Sequence, residues 1–171
     1  MTGQINVNKI AARTGNTITI NSGDKISGAA GSIVAPGQVL QCLQYYAANP
    51  GASSTTSTSY VATGIKKSIT PKASGNLIIV QASITMMYAA SSGYAKLYMN
   101  GSVMSGAGNY QMGYMNISHN NYAGMMTQAQ HTTTDTSALE FEVYVRVGAS
   151  GTFTYIHADA SAALTVWEIA Q

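Results

Sequence analysis

Leu139-Glu140-Phe141-Glu142-Val143-Tyr144-Val145-Arg146-Val147 decides the fold of this chain. Its odd-numbered positions are all apolar, and its even-numbered positions are Glu, Glu, Tyr and Arg. Side chains of a strand alternate between two faces, whereas those of a helix recur every 3.6 residues. A helix would scatter Leu139, Phe141, Val143, Val145 and Val147 around its circumference; a strand gathers them on one side. The stretch is therefore a strand with an apolar inner face and a polar outer one.

Working outward, the same pattern predicts strands over Val39 to Tyr46, Tyr60 to Ile69, Leu77 to Tyr88, Ala95 to Met99, Tyr110 to Ile117, Met125 to His131, Thr152 to His157 and Leu164 to Ile169. Turn signals separate most of them: Asn49-Pro50-Gly51, Ser74-Gly75-Asn76, Ser92-Gly93, Asn100-Gly101 and Gly148 to Gly151. Many short strands without a long amphipathic helix predict an all-β fold, an antiparallel β-sandwich of jelly-roll type. Ahead of it, INVNKIAARTGNTITINSGDKISGAAGSIVAPG (residues 5–37) alternates β-prone triplets such as Ile18-Thr19-Ile20 with turn dipeptides, and its apolar positions are too few to close a core. The expected organisation is an extended N-terminal segment with a neck, residues 1–37, and a sandwich head, residues 38–171. Extended segments of this kind gain stability when several copies wind together and cover one another's backbone edges.

Charge is the second informative property. Only 8% of the 171 residues are Asp, Glu, Lys or Arg, against roughly 25% in an ordinary soluble domain. The simplest cover for so uncharged a surface is further copies of the chain, a homo-oligomer. Two stretches, Ile26 to Ile65 and Leu97 to Thr134, contain no charged residue at all. The second is rich in Met and Tyr, and charge depletion with Tyr and Met enrichment marks interface cores. Met112, Met115, Met125 and Met126 are the expected subunit-interface residues, although methionine also fills irregular gaps inside a core. Trp167 alternates with Thr165 and Ile169 and anchors either the core or a threefold contact. Tyr110, Tyr114 and Tyr122 stand among Ser, Gly and Asn, residue types that make adaptable recognition surfaces. They are read either as contacts to a host glycan or outer-membrane protein, or as packing between subunits.

Other functions find little footing. Lys66, Lys67 and Lys72 are near one another but the remaining cations are scattered, so no basic stripe exists to neutralise a row of phosphates, and no nucleic-acid partner is expected. Cys42 is the single cysteine, so no intrachain disulfide forms; flanked by Leu40 and Leu43, it is expected to be a buried, inert thiol in a protein assembled in a reducing cytoplasm. MTGQINVNKI carries no charged leader followed by an apolar core, and no apolar run is long enough for membrane insertion. Of His119, His131 and His157, only His157 lies at metal-ligand spacing from a carboxylate, Asp159, and a solvated loop pair is the plainer reading. Three copies of His119 or His131 converging on a threefold axis are a further way to hold an ion; no metal or cofactor is expected from the chain itself. The six carboxylates are spread out, the closest pair being Glu140 and Glu142 on an outer strand face, and no nucleophile elbow or phosphate loop is present. The chain does not read as an enzyme.

Two stretches carry a resemblance. INVNKIAARTGNTITINSGDKI (residues 5–26) resembles the N-terminal attachment segments of structural and fibre proteins of tailed phages, particularly those infecting marine cyanobacteria. The closing stretch Leu164 to Gln171 is similar to the last strand of the small jelly-roll heads that end many such fibres. The resemblance implies a homotrimer on the virion surface, assembled in the host cytoplasm, with Ile5, Val7, Ile10, Ile18 and Ile20 docking onto a tail or capsid platform and the head projecting outward. The chain departs from long fibres in having almost no shaft, so a short tail appendage and a capsid decoration or head-fibre protein both fit. A lectin-like glycan-binding module outside any virus is the remaining alternative.

Overall fold

The structure, a computed structural model, describes residues 22, 34–48, 51–88, 92–104, 114–116, 121–156 and 160–171, with the backbone alone at 86–88, 114–116 and 121–123. The chain divides into two units, Met1–Ile33 and Val34–Gln171. Ile5, Val7, Ile10, Ile18 and Ile20, the expected anchoring residues, lie outside the described residues. All strands named below belong to the second unit: β1 (Val39–Ala48), β2 (Ser53–Thr55), β3 (Val61–Ile69), β4 (Leu77–Tyr88), β5 (Ser92–Met99), β6 (Ser102–Val103), β7 (Tyr114–Asn116), β8 (Asn121–Thr132), β9 (Leu139–Val147), β10 (Phe153–Ile156) and β11 (Ser161–Ile169).

Two antiparallel sheets result, each of four rows among the described residues. In sheet I, β4 pairs along its whole length with β8, from Leu77 opposite Thr132 to Tyr88 opposite Asn121. Its other edge takes β11 from Leu77 to Ser83 and β10 at Met87 and Tyr88. β1 then pairs with β11 and β2 with β10, so β11 and β10 share one row of the sheet and β1 and β2 share the next. Sheet II runs β3-β9-β5, with β6 and β7 sharing the far edge of β5. With the eight rows numbered along the chain, the first pairs with the eighth, the second with the seventh, the third with the sixth and the fourth with the fifth.

Local chemistry explains the turns that make this nesting possible. Asn100 and Gly101 have φ of 50° and 76° and join β5 to β6, with Met99 directly opposite Ser102. That is the left-handed pair a two-residue hairpin turn needs, and Asn-Gly adopts it at low cost. Ala35-Pro36-Gly37-Gln38 forms a turn closed by Gln38 N–H donating to the Ala35 carbonyl at 3.0 Å, with Gly37 at φ 84°, the placement of Pro and Gly that a type II turn favours. Gly37 N–H donates to the Ala170 carbonyl at 2.7 Å and Ala170 N–H to the Gln38 carbonyl at 2.9 Å. Residues 37 and 38 thus extend the β1–β11 ladder into the stretch expected to serve as a neck.

The core lies between the sheets. Ile78, Val80 and Ile84 of β4 and Leu164 and Val166 of β11 meet Phe141, Val143 and Val145 of β9, Leu97 of β5, Ile65 of β3 and Phe153 of β10, all at most 1% exposed. Each such side chain is worth roughly 1.5–3 kcal/mol of transfer free energy. Gly93 of β5 is obligatory here, because the Phe153 ring occupies the space a Cβ would need. Two expectations are corrected. Met125, expected at a subunit contact, is buried in this core, while its neighbour Met126 is 66% exposed. Cys42, expected to be buried, is exposed. Both corrections have one cause: adjacent strand residues face opposite ways, so the apolar Leu43 beside Cys42 points inward and carries no information about the cysteine's own face.

Candidate functional site

The outer face of sheet I is a lattice in register across four strands. Cys42, Trp167, Ile79 and Gln130 form one row; Gln44, Thr165, Gln81 and Gln128 the next; Tyr46, Ala163, Ser83 and Met126 the third. None carries a charge. Within it Gln44 Nε2 donates to Thr165 Oγ1 at 3.0 Å, and Gln81 Nε2 lies 2.9 Å from the Met126 sulfur. Tyr46 and Met126 are exposed at two corners of this amide and hydroxyl surface, and Trp167 is half-buried within its first row.

Sheet II is built differently. Of the nine charged residues among those described, Lys66, Lys67, Lys96, Glu140, Glu142 and Arg146 lie on its strands. At one end of its outer face Lys66 Nζ meets Glu140 Oε2 at 3.1 Å, and that hydrogen bond and charge raise the Lys66 pKa. Nearby, Gly64 N–H donates to Glu142 Oε1 at 2.8 Å across the irregular register of β3 and β9. Toward the other end the face becomes aromatic and cationic. Tyr98 stacks on Tyr144 with ring centres 3.9 Å apart and planes 18° from parallel, and Tyr60 leans on Tyr98 at 6.3 Å. Arg146 places its guanidinium carbon 4.1 Å from the Tyr94 ring centre and 5.3 Å from that of Tyr60; Lys96 Nζ is 5.1 Å from the Tyr60 centre. Such placement over the negative ring face is attractive. Partial burial pushes the Tyr98 pKa up, and Tyr60 and Tyr144 add to the effect. Lys67 alone of these charges shares the register position of inward-facing Phe141, on the edge strand β3, where an inward charge discourages edge-to-edge pairing with another sheet.

The charge on a sheet I strand is Glu168, fully buried at the end of β11. Its Oε1 accepts from Lys72 N–H at 2.7 Å and Asn76 Nδ2 at 2.7 Å, and its Oε2 from Gln41 Nε2 at 2.6 Å. Burial pushes its pKa up, but the bonds from Asn76, Gln41, Lys72 N–H and Ala73 N–H outweigh that and hold it below its ordinary value. The carboxylate ties β1, the β3–β4 loop and the last strand together; it is a structural plug whose lone pairs are fully used.

The sequence-predicted residues fall as follows. Met126 and Trp167 share the outer face of sheet I, whereas Met125 is in the core. Met115 lies on β7 opposite Gly93, and Tyr114 on the same strand opposite Tyr94. Tyr122 lies on β8 opposite Met87, in the other sheet from Tyr114. Met112, Tyr110, His119 and His157 lie outside the described residues. His131 is half-buried opposite Ile78, and no group of three or more potential metal ligands occurs among the described residues. Among them no helix is long and apolar enough to cross a membrane. Of the tyrosines that do cluster, Tyr144 is legible as an outward position of its strand; Tyr94 and Tyr98 lie on β5 and Tyr60 immediately precedes β3, and their meeting needs the pairing of β3, β9 and β5. No protein-family model matches the chain, and no curated protein matches it.

Proposed function

We propose that this chain is a structural surface module of a tailed-phage virion: a jelly-roll head that trimerises, anchored to a tail or capsid platform by Ile5, Val7, Ile10, Ile18 and Ile20. The observation that carries the assembly is the uncharged outer face of sheet I, a twelve-residue lattice without an ion, set against a sheet II that holds most of the charge among the described residues. A face kept free of ions over four strands can be desolvated without stranding a charge, which is what a subunit interface requires. The nested pairing of rows, first with eighth through fourth with fifth, supports the jelly-roll reading, since that order is two interleaved Greek keys. In this reading Trp167 and Met126 are the apolar anchors, and the charged outer face of sheet II stays on the outside of the assembly, available for host contact. A capsid decoration uses the same head and differs only in its platform. The resemblance of residues 5–26 and of the closing strand to phage fibre proteins supports the virion location. No catalytic step, cofactor or nucleic-acid partner belongs to this reading.

The test is the native mass of the full-length protein by light scattering coupled to size exclusion, beside a Ser83→Arg variant. Ser83 is exposed on sheet I, so the change is tolerated by a single chain. A mass three times the 17.8 kDa of the chain that falls to one in the variant is expected; a wild-type monomer overturns the assembly. Particles grown with a chain lacking residues 1–33 then test the anchor, and normal incorporation of that chain would sink it.

A further inference from the structure

The cationic aromatic end of sheet II plays no part in assembly through sheet I. Its geometry is specific. The stacked Tyr98 and Tyr144 rings, with Tyr60 inclined against them, make a half-exposed aromatic platform on the outer face of sheet II. Aromatic faces carry negative quadrupole potential and attract the positively polarised C–H groups that line one face of a sugar ring. Tyrosine adds hydroxyls for the sugar's own hydroxyls at small entropic cost. Lys96 lies directly across from Tyr144 and Arg146 directly across from Tyr94, so both cations border the platform.

Those cations define the ligand's charge. Among the described residues the one carboxylate–ammonium pair is Lys66 with Glu140, so Lys96 and Arg146 have no carboxylate within salt-bridge distance there. Both are held instead over tyrosine rings. Arg146 gives one N–H to the Val147 carbonyl at 3.2 Å and keeps further donors in the fork that suits a carboxylate or sulfate. Glu142 stands directly across from Tyr98 and accepts the Gly64 N–H, and Glu140 pairs with Lys66, so an anion is confined to the Lys96 and Arg146 side of the platform. With so few cations beside two carboxylates, the face is also too short and too mixed to follow a nucleic-acid backbone.

We propose that the Tyr60–Tyr94–Tyr98–Tyr144 platform with Lys96 and Arg146 is a binding site for an acidic polysaccharide, the sugar ring stacking on the tyrosines and its carboxylate or sulfate held by the two cations. This deepens the host-contact part of the reading above by naming the ligand class.

The full-length protein is titrated by calorimetry with polygalacturonate, dextran sulfate, neutral dextran and single-stranded DNA. Binding to one or both acidic polymers is expected, with none to dextran; a response to only one identifies the anion as carboxylate or sulfate. The Lys96→Gln, Arg146→Gln double variant should bind about tenfold more weakly. Tyr98→Leu keeps the packing but removes the π-face, and should also weaken binding. Lys66→Gln, at the acidic end, should match the wild type. Raising salt from about 0.05 to 0.5 M should weaken wild-type binding severalfold, a reading that stands even if a variant fails to fold. Absence of binding to both acidic polymers, equal binding to single-stranded DNA, salt-independent binding, or full affinity in the double variant overturns the site. A trimer that binds no acidic polymer removes this proposal and leaves the assembly intact; a monomer that binds does the reverse.

Discussion

The outer faces of sheet I and sheet II are made from the same antiparallel rows with the same alternation of side chains, yet they differ in nearly every surface property. Sheet I presents Gln, Thr, Ser, Cys, Ala and a few large apolar groups across β1, β11, β4 and β8. Sheet II presents Lys, Arg, Glu and stacked Tyr across β3, β9 and β5. Both inner faces are mainly apolar, each with one charge, Glu168 in sheet I and Lys67 in sheet II, so folding alone imposes no such division. What differs is the environment each outer face is suited to. An ion-free face loses little on leaving water, while a face of paired ions and cation–π contacts is satisfied in water or against a charged ligand. Low overall charge in this chain is thus an uneven distribution, with one face emptied of ions and the other supplied with them.

The largest expected effect breaks the contrast directly. Ser83→Arg buries an uncompensated charge in the proposed sheet I contact, a cost of about 3–5 kcal/mol per interface. Native mass should fall to that of a single chain, while Ser68→Arg on sheet II, also exposed, should leave it unchanged. Equal behaviour of the two variants would erase the distinction between the faces.

Next comes the exception within sheet I. Glu168→Ala leaves the donors of Gln41, Asn76 and Lys72 without their acceptor and should lower unfolding free energy by roughly 2–3 kcal/mol, measured by urea denaturation. The wild type should show the same dependence through pH. The folded-state pKa of Glu168 is held below its ordinary value of 4.5, so its stabilisation is complete above that value and is lost as pH falls through the folded one. Melting temperature should therefore decline on acidification below about pH 4.5, and the decline should be shallower in Glu168→Gln.

A smaller effect belongs to the aromatic end of sheet II. Tyr98→Ala removes the stack on Tyr144, worth about 0.5–1.5 kcal/mol beyond the area it buries. Thermal melting should register the loss with native mass unchanged. In the wild type, ultraviolet titration should show an ionisation raised above the ordinary tyrosine value, and Tyr98→Leu should remove it. Smallest of all is Lys66→Ala. Both members of its pair with Glu140 are about half exposed, and such pairs contribute little in water; the melting temperature should not move measurably.

Legibility in the sequence tracked length and regularity of pattern. The expected ends of β4 and β9 coincide with the observed ones, because each carries a long apolar signal bounded by turn residues. β5, β8 and β11 begin three or four residues earlier than expected, where Gly, Ala and small polar residues dilute the alternation. β2 and β6 carry no legible signal: Ser53–Thr55 and Ser102–Val103 are too short to show a period and become strands only because β10 and β5 offer a free edge. Cys42 and Met125 were misplaced for the reason that also made the strands readable. Alternation says that neighbours differ in face, and the composition of a neighbourhood averages the two faces together.

What the sequence determined by itself is an all-β chain whose strands each have an apolar side, with too few charges for an ordinary isolated surface. Those properties are local, set by the period of two and by the residue types at turns. Tertiary structure decided which rows are neighbours, and with that the nested order, the gathering of four donor groups on Glu168, the ion-free lattice of sheet I and the tyrosine–cation platform of sheet II. Period-two patterning fixes the face of a residue but not its partner across the ladder. Hydrogen bonding between rows joins residues as far apart as Gly37 and Ala170, and no local pattern along the chain encodes such a meeting.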